Sequence, residues 1–375
     1  METCDKCGRL YSGEYCANCH VDTDNYSRDF PNVTWDEVRD HLVKRLLIDD
    51  ESILHGEEEY FWWPAFLCQH VYKEDEGRFN DESPDNWMQI VAETEVGRMS
   101  EELGLALADE VNSEFVHGAA IYDEGALTLR TSFAFNPLNR ALLKIFHEQI
   151  LAQATLAHEF AIKWVEIEGI EFSHSNHPES GPRDNPDDLL GVFWGDTYSG
   201  GEIMPDFSQA LAEARAVIPQ LMANQGWAPG FSNDEVNFFL KGNASVGMGV
   251  RPSDPENAKY GPGIFVYAND MGYQMPLGPQ ETNTLNFVSS ELGRASQFGA
   301  FLSKNYIGEL GPRMTAFIPY GPLAEDRFNP LNMAITITNF AAHVSKCCMG
   351  TFWLLDEKVS TEPTESAGDQ LGNRS

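Results

Sequence analysis

The chain has 375 residues, 42% of them hydrophobic and 11% aromatic, with 58 acidic against 25 basic side chains for a formal net charge of −33. This excludes a low-complexity polymer and supports two or three globular domains, each able to bury a core. The negative field disfavours phosphate backbones and anionic membranes as main ligands, and no apolar run nears the roughly 20 residues that span a bilayer.

The same acidity suits a basic or amphipathic protein partner, and equally the proteome of a salt-adapted host. The opening METCDKCGRL lacks the apolar core of a secretory signal, so the cytoplasm is the expected compartment. Four of the seven cysteines fall at Cys4, Cys7, Cys16 and Cys19, as CxxC, eight residues, CxxC. Each CxxC wraps one face of a metal ion, and two facing knuckles complete a tetrahedral thiolate shell. Gly8 allows the tight turn after the first pair. Residues 1–22 are too short for a core and are expected to form a zinc ribbon held by structural Zn2+. An iron centre or a redox dithiol fits the closed four-sulfur pattern less well. Cys68, Cys347 and Cys348 lie in apolar sequence and read as small core residues.

A polar link over residues 23–32 leads to the first α+β unit, expected at 33–166. Thr34 is placed to cap an amphipathic helix carrying Val38, Leu42 and Leu46. EYFWWPAFLCQHVY and WMQIVAETEVG read as strands. A helix is expected from Met99 through Leu103, Leu107 and Val111, then strand signal in AAIYDEGALTLRTSFAF and a long helix from Pro137 to about Val165. Residues 167–189, rich in Pro, Gly, Ser and Asp, read as a linker.

The second unit, 190–355, follows the same order. FSQALAEARAVIPQLMANQGW is a helix that Pro219 is expected to kink or shorten. VNFFLKGNASVGMGVR and GIFVYANDMGYQMP read as strands, SSELGRASQFGAFLSKNYIG as a helix, RMTAFIPYG as a strand, and Pro330 to Phe352 as a final helix. Residues 356–375 read as a disordered tail.

Two matches tie the halves together. FNPLN at Phe135 to Asn139 recurs at Phe328 to Asn332, and SEELG at Ser100 recurs as SSELG at Ser289, in the same order and at nearly the same spacing. The expected fold is therefore α+β: two tandem α-β-β-α-β-α repeats with antiparallel sheets, preceded by the ribbon. FNPLN reads as helix capping, with Asn136 and Asn329 as caps and Pro137 and Pro330 at the first helical position.

No motif for catalysis stands out. HEQIL at His147 has Leu151 where a metalloprotease motif needs its second histidine. His147 and His158 stand three helical turns apart, and the HxxH of His174 and His177 falls in the linker. No nucleophile elbow or phosphate-cradling loop is present.

Helix–strands–helix–strand–helix order, acidity and the lack of catalytic chemistry together resemble the type III secretion chaperone-like fold, a superfamily that includes the bacterial YbjN-type proteins. The resemblance covers residues 33–166 and 190–355, and the ribbon departs from it. It implies a non-catalytic, chaperone-like or regulatory adaptor holding a partner polypeptide, with a tandem duplication acting as a pseudo-dimer within one chain. Trp62, Trp63 and Phe66 are the candidate partner-facing residues, since adjacent tryptophans on one strand point to opposite faces. The alternatives are an enzyme whose site is assembled from scattered polar residues, or a zinc-ribbon regulator acting near nucleic acid. The latter would gather Lys6, Arg9, Arg28, Lys44 and Arg45 on one face.

Overall fold

The structure, a computed structural model, describes residues 2–3, 10–11, 34–45, 53–64, 66–74, 88–113, 117–135, 142–173, 205–224, 226–229, 236–240, 243–252, 263–270, 278–291, 299–301, 313–319, 323 and 329–361. Strands β1 (Glu2–Thr3) and β2 (Leu10–Tyr11) pair with each other at the N-terminus. Helix α1 (Trp35–Arg45) follows, and Thr34 caps it as expected, its Oγ1 accepting from the Glu37 N–H at 3.2 Å.

Next come β3 (Ile53–His55), β4 (Glu59–Trp62), β5 (Gln69–Glu74), β6 (Met88–Arg98), α2 (Glu101–Asn112), β7 (Ala119–Asp123), β8 (Ala126–Phe135), α3 (Leu143–Lys163) and β9 (Glu171–Phe172). The strands form an antiparallel sheet in the order β3-β4-β5-β6-β8-β7, with β9 added to the far end of β6. The stretch read as linker thus begins inside this sheet.

The second half contains α4 (Pro205–Asn224), β10 (Trp227–Pro229), β11 (Val236–Leu240), β12 (Asn243–Pro252), β13 (Gly263–Asp270), α5 (Pro279–Glu291), β14 (Gly299–Phe301), β15 (Arg313–Pro319) and α6 (Pro330–Thr361). Its sheet runs β10-β11-β12-β13-β15-β14, again antiparallel. The protein is α+β with antiparallel sheets and six helices among the described residues. None of those helices is long and apolar enough to cross a membrane.

The strand count differs from the expectation. Among the described residues each half has four strands before its middle helix and two directly after it, with β9 a further strand in the first half, because several apolar stretches read as single strands are in fact paired strands. EYFWWPAFLCQHVY divides at Trp63–Pro64 into β4 and β5, where proline has no N–H for the ladder. AAIYDEGALTLRTSFAF folds back at Glu124 and Gly125, whose φ values of 46° and 87° make the two-residue turn that matches strand twist. Pro219 lies inside α4 without ending it.

The helix expected from Ser289 is also displaced. Helix α5 begins at Pro279 and reaches only Glu291, so SSELG straddles its C-terminal end, whereas SEELG opens α2. The sequence match is therefore not a structural one. Helix α5 starts instead at the Glu half of a capping box: Gly278 donates its N–H to Glu281 at 3.0 Å, and Pro279 takes the first helical position. The second FNPLN behaves as expected, since Asn329 accepts from the Asn332 N–H at 3.2 Å and Pro330 opens α6. Of the first copy, Phe135 ends β8 in the core, 4.3 Å from Phe133 between ring centres, and Asn136 to Asn139 lie outside the described residues.

Alternation along the strands sends one face inward. Tyr60, Trp62, Val71, Ile90, Ala92, Phe133 and Phe135 meet α1 and α3, and a continuous apolar cluster runs on into the second half through Ile218, Met248, Val266, Ile337 and Phe340. Helix α3 is buried along most of its length, its polar residues His147, Gln149, Gln153 and Thr155 included. Within that interface lies a polar knot. Gln153 donates to Ala92 O and Thr131 Oγ1 and accepts from Gln69 Nε2 and Thr94 Oγ1, so all four amide positions are used.

The middle helices grip the edge strands in the same way in both halves. Asn112 of α2 exchanges two hydrogen bonds with the Ala120 backbone, and Asn286 of α5 does so with Phe301. The halves meet here: Ala119 and Ile121 pack on Ala300 with Phe287 alongside.

Candidate partner-binding cleft

The outward face of the first sheet carries a cross-strand row whose register follows from the pairing. Leu54 stands opposite Phe61, Phe61 opposite His70, His70 opposite Glu93, and Glu93 opposite Arg130. The row passes from aliphatic to aromatic to imidazole to carboxylate to guanidinium. Phe61 and His70 stack with ring centres 4.2 Å apart, and Tyr72 lies 4.6 Å beyond His70.

The electrostatics of the charged end are closed. Arg130 reaches Glu93 at 2.9 Å and Glu74 at 3.9 Å. Burial, then the negative charge of Glu93, push the Tyr72 phenol well above its ordinary value, so it stays a neutral hydroxyl. His70 Nε2 shares a 3.0 Å hydrogen bond with Glu59. Ser173 donates to Glu95, whose other neighbour is Arg98 at 3.7 Å.

A cleft of about 560 Å³ opens beside this row, where β6 exchanges neighbours: β5 pairs with it as far as Glu93 and β9 takes over at Gly97. Leu54, Phe61 and Trp63 form its apolar wall, and Glu93, Glu95 and Thr128 its floor. Leu54 is 44% exposed, an apolar side chain held out in water beside an aromatic wall.

The three residues singled out from EYFWWPAFL separate. Trp62 points inward and is fully buried in the main core, so it offers no surface. Trp63 takes the opposite face, is 5% exposed, and shows the cleft an edge beside Phe61. Phe66 is half-buried against His158 and against a separate apolar cluster that includes Leu67, Val96, Leu107 and Trp164. Leu54, Phe61, Glu93 and Glu95 were not singled out by sequence. Alternation alone puts Glu93 and Glu95 on one face of their strand, but only the register brings that face together with Leu54 and Phe61.

Cys4, Cys7, Cys16 and Cys19 lie outside the described residues, as do His174 and His177. Among the described residues no group of three or more histidines, cysteines or carboxylates is placed to hold a metal. Cys347 and Cys348 are buried; Cys347 shares a 2.8 Å hydrogen bond with Ser289, and burial pushes its thiol up to about 12.

Compared with protein-family models, with curated proteins and with solved structures, the chain matches none.

Proposed function

We propose that this chain is a non-catalytic, chaperone-like adaptor that holds an extended segment of a partner polypeptide in the cleft of its first sheet. One observation carries the reading. An apolar and aromatic wall of Leu54, Phe61 and Trp63 stands beside carboxylates on the solvent side of an antiparallel sheet, a face that is ordinarily polar. In this reading the two halves are fused copies of one unit, packed as a pseudo-dimer in the cytoplasm. Support comes from their shared strand order and from the matching Asn112 and Asn286 clamps. Cys4, Cys7, Cys16 and Cys19 would hold structural Zn2+, which supplies folding energy to residues 1–22.

The test is site-specific photocrosslinking in the native cell. A benzophenone side chain replaces Leu54 in one variant and Ile335, an exposed residue of α6, in another. A defined polypeptide joined at position 54 and not at 335 supports the reading. Adducts at neither position, or equally at both, sink it.

A further inference from the structure

We infer that the segment seated in this cleft presents an arginine to Glu95 and Glu93, with an apolar side chain two residues away over Leu54 and Phe61. This deepens the adaptor reading and rests on it. The charge balance around the cleft is negative: Glu59, Glu74, Glu93 and Glu95 stand against Arg98 and Arg130. Arg130 is largely occupied by Glu93, at 2.9 Å with the arginine side chain 12% exposed. Glu95 is different. Its side chain is 41% exposed, and Arg98 approaches only to 3.7 Å while itself 62% exposed. Ser173 and Arg98 both reach its Oε1, so the exposed carboxylate has its Oε2 to offer an incoming cation.

The aromatic wall selects the kind of cation. A guanidinium is planar, stacks on aromatic faces and pairs with carboxylates in a fork, whereas an ammonium is a compact, strongly hydrated charge. Phe61, stacked on His70 with ring centres 4.2 Å apart, supplies the aromatic surface of the cleft, and Glu95 the acceptor. The spacing agrees. Phe61 on β4 and Glu93 on β6 are two strands apart, roughly 10 Å, and same-face side chains of an extended peptide are ~7 Å apart. The long arginine stem spans the remainder, lying along the apolar wall.

The probe is a fluorescein-labelled peptide, SGLSRSLG, titrated into the full chain by anisotropy at 0.15 M salt, where the Debye length is about 8 Å. SGLSKSLG and SGLSQSLG are the comparisons. Binding of the arginine peptide at least about tenfold tighter than the glutamine peptide, and tighter than the lysine peptide, is the expected result. Glu95→Gln should weaken the arginine peptide about tenfold and leave the glutamine peptide unchanged. Leu54→Ser should weaken both.

A non-specific polycation effect behaves otherwise, because removing one charge from a total of −33 barely alters the overall field. Equal binding of the arginine peptide to the parent and to Glu95→Gln therefore overturns the inference. So does equal binding of the arginine and glutamine peptides. If crosslinking at position 54 captures a polypeptide while the arginine peptide shows no preference, the adaptor reading stands and the arginine inference falls. With neither capture nor peptide binding, both fall.

Discussion

Asn283 of α5 holds the backbone of Tyr122 in β7 with both ends of its amide, accepting from the Tyr122 N–H at 2.8 Å and donating to its carbonyl at 2.9 Å. The two residues belong to different halves, so this side chain continues the edge of the first sheet into the second half. Asn283→Ala leaves both backbone groups without these partners and should lower stability by about 1–2 kcal/mol. A fall in the urea midpoint at unchanged m-value, with faster amide exchange at Tyr122, would bear this out; an unshifted midpoint would contradict it.

Gly104 supports the same contact from the other side. A Cβ at this helical position would fall inside the Tyr122 ring, whose hydroxyl donates to Met99 O at 3.0 Å. Helix propensity alone favours Gly104→Ala by about 1 kcal/mol, but the clash opposes it and should leave a net loss of about 1–2 kcal/mol. Adding Tyr122→Leu makes room for the methyl. The double variant should therefore lose less stability than the two single losses added together, as a double-mutant cycle would measure.

Gln153 is the hub of a buried network, and its removal orphans several groups at once. Gln153→Leu keeps the volume but leaves Thr94, Thr131 and the Ala92 carbonyl without that amide. A loss of about 2–4 kcal/mol is expected, larger than for Leu151→Ala on the same helix if polar satisfaction outweighs packing there. Thermal unfolding of both variants side by side decides the order.

His117 is buried against Phe317 across the halves, ring centres 5.7 Å apart, and burial lowers its pKa to about 3. The folded value lies below the unfolded one near 6.5, so the unfolded chain binds the proton more readily. The stability this neutral ring supports is complete above about pH 6.5 and declines as pH falls toward 3. Between pH 6 and 5 the parent should lose stability more steeply than His117→Gln, by about 1 kcal/mol per pH unit. Parallel slopes would show that His117 is solvated.

The ribbon makes an independent prediction. Purified protein should carry one zinc per chain by elemental analysis, and the paired change Cys4→Ser/Cys7→Ser should abolish it. Iron in place of zinc, or no metal in the parent, would remove the structural-zinc reading.

Part of this architecture is legible in the sequence. The caps at Thr34 and Asn329 are local chemistry, a side-chain oxygen within three residues of the N–H that it accepts from, so the residues themselves announce them. The contact from Gly278 N–H to Glu281 is equally local, but a glycine cap has no side-chain oxygen to mark it in the sequence. Identity at four letters in five carries no backbone conformation: SEELG opens one helix, whereas SSELG begins in the last turn of another. Strand number escaped for a related reason. An apolar run looks the same whether it is one strand or two paired by a tight turn, unless Pro64 or Glu124–Gly125 is read as punctuation.

The sequence by itself determined the α+β class, the acidity, the alternation that sends neighbouring residues of a strand to opposite faces, and the capping at two helix starts. Each depends only on residues close in the chain and on the fixed periods of helix and strand. Only the tertiary structure decided that Leu54, Phe61, His70, Glu93 and Arg130 form one row, that β6 changes neighbours beside them, and that Asn283 reaches Tyr122. Register and the docking of one half on the other are set by pairing between distant segments, and a one-residue slip would have scattered the row over both faces of the sheet.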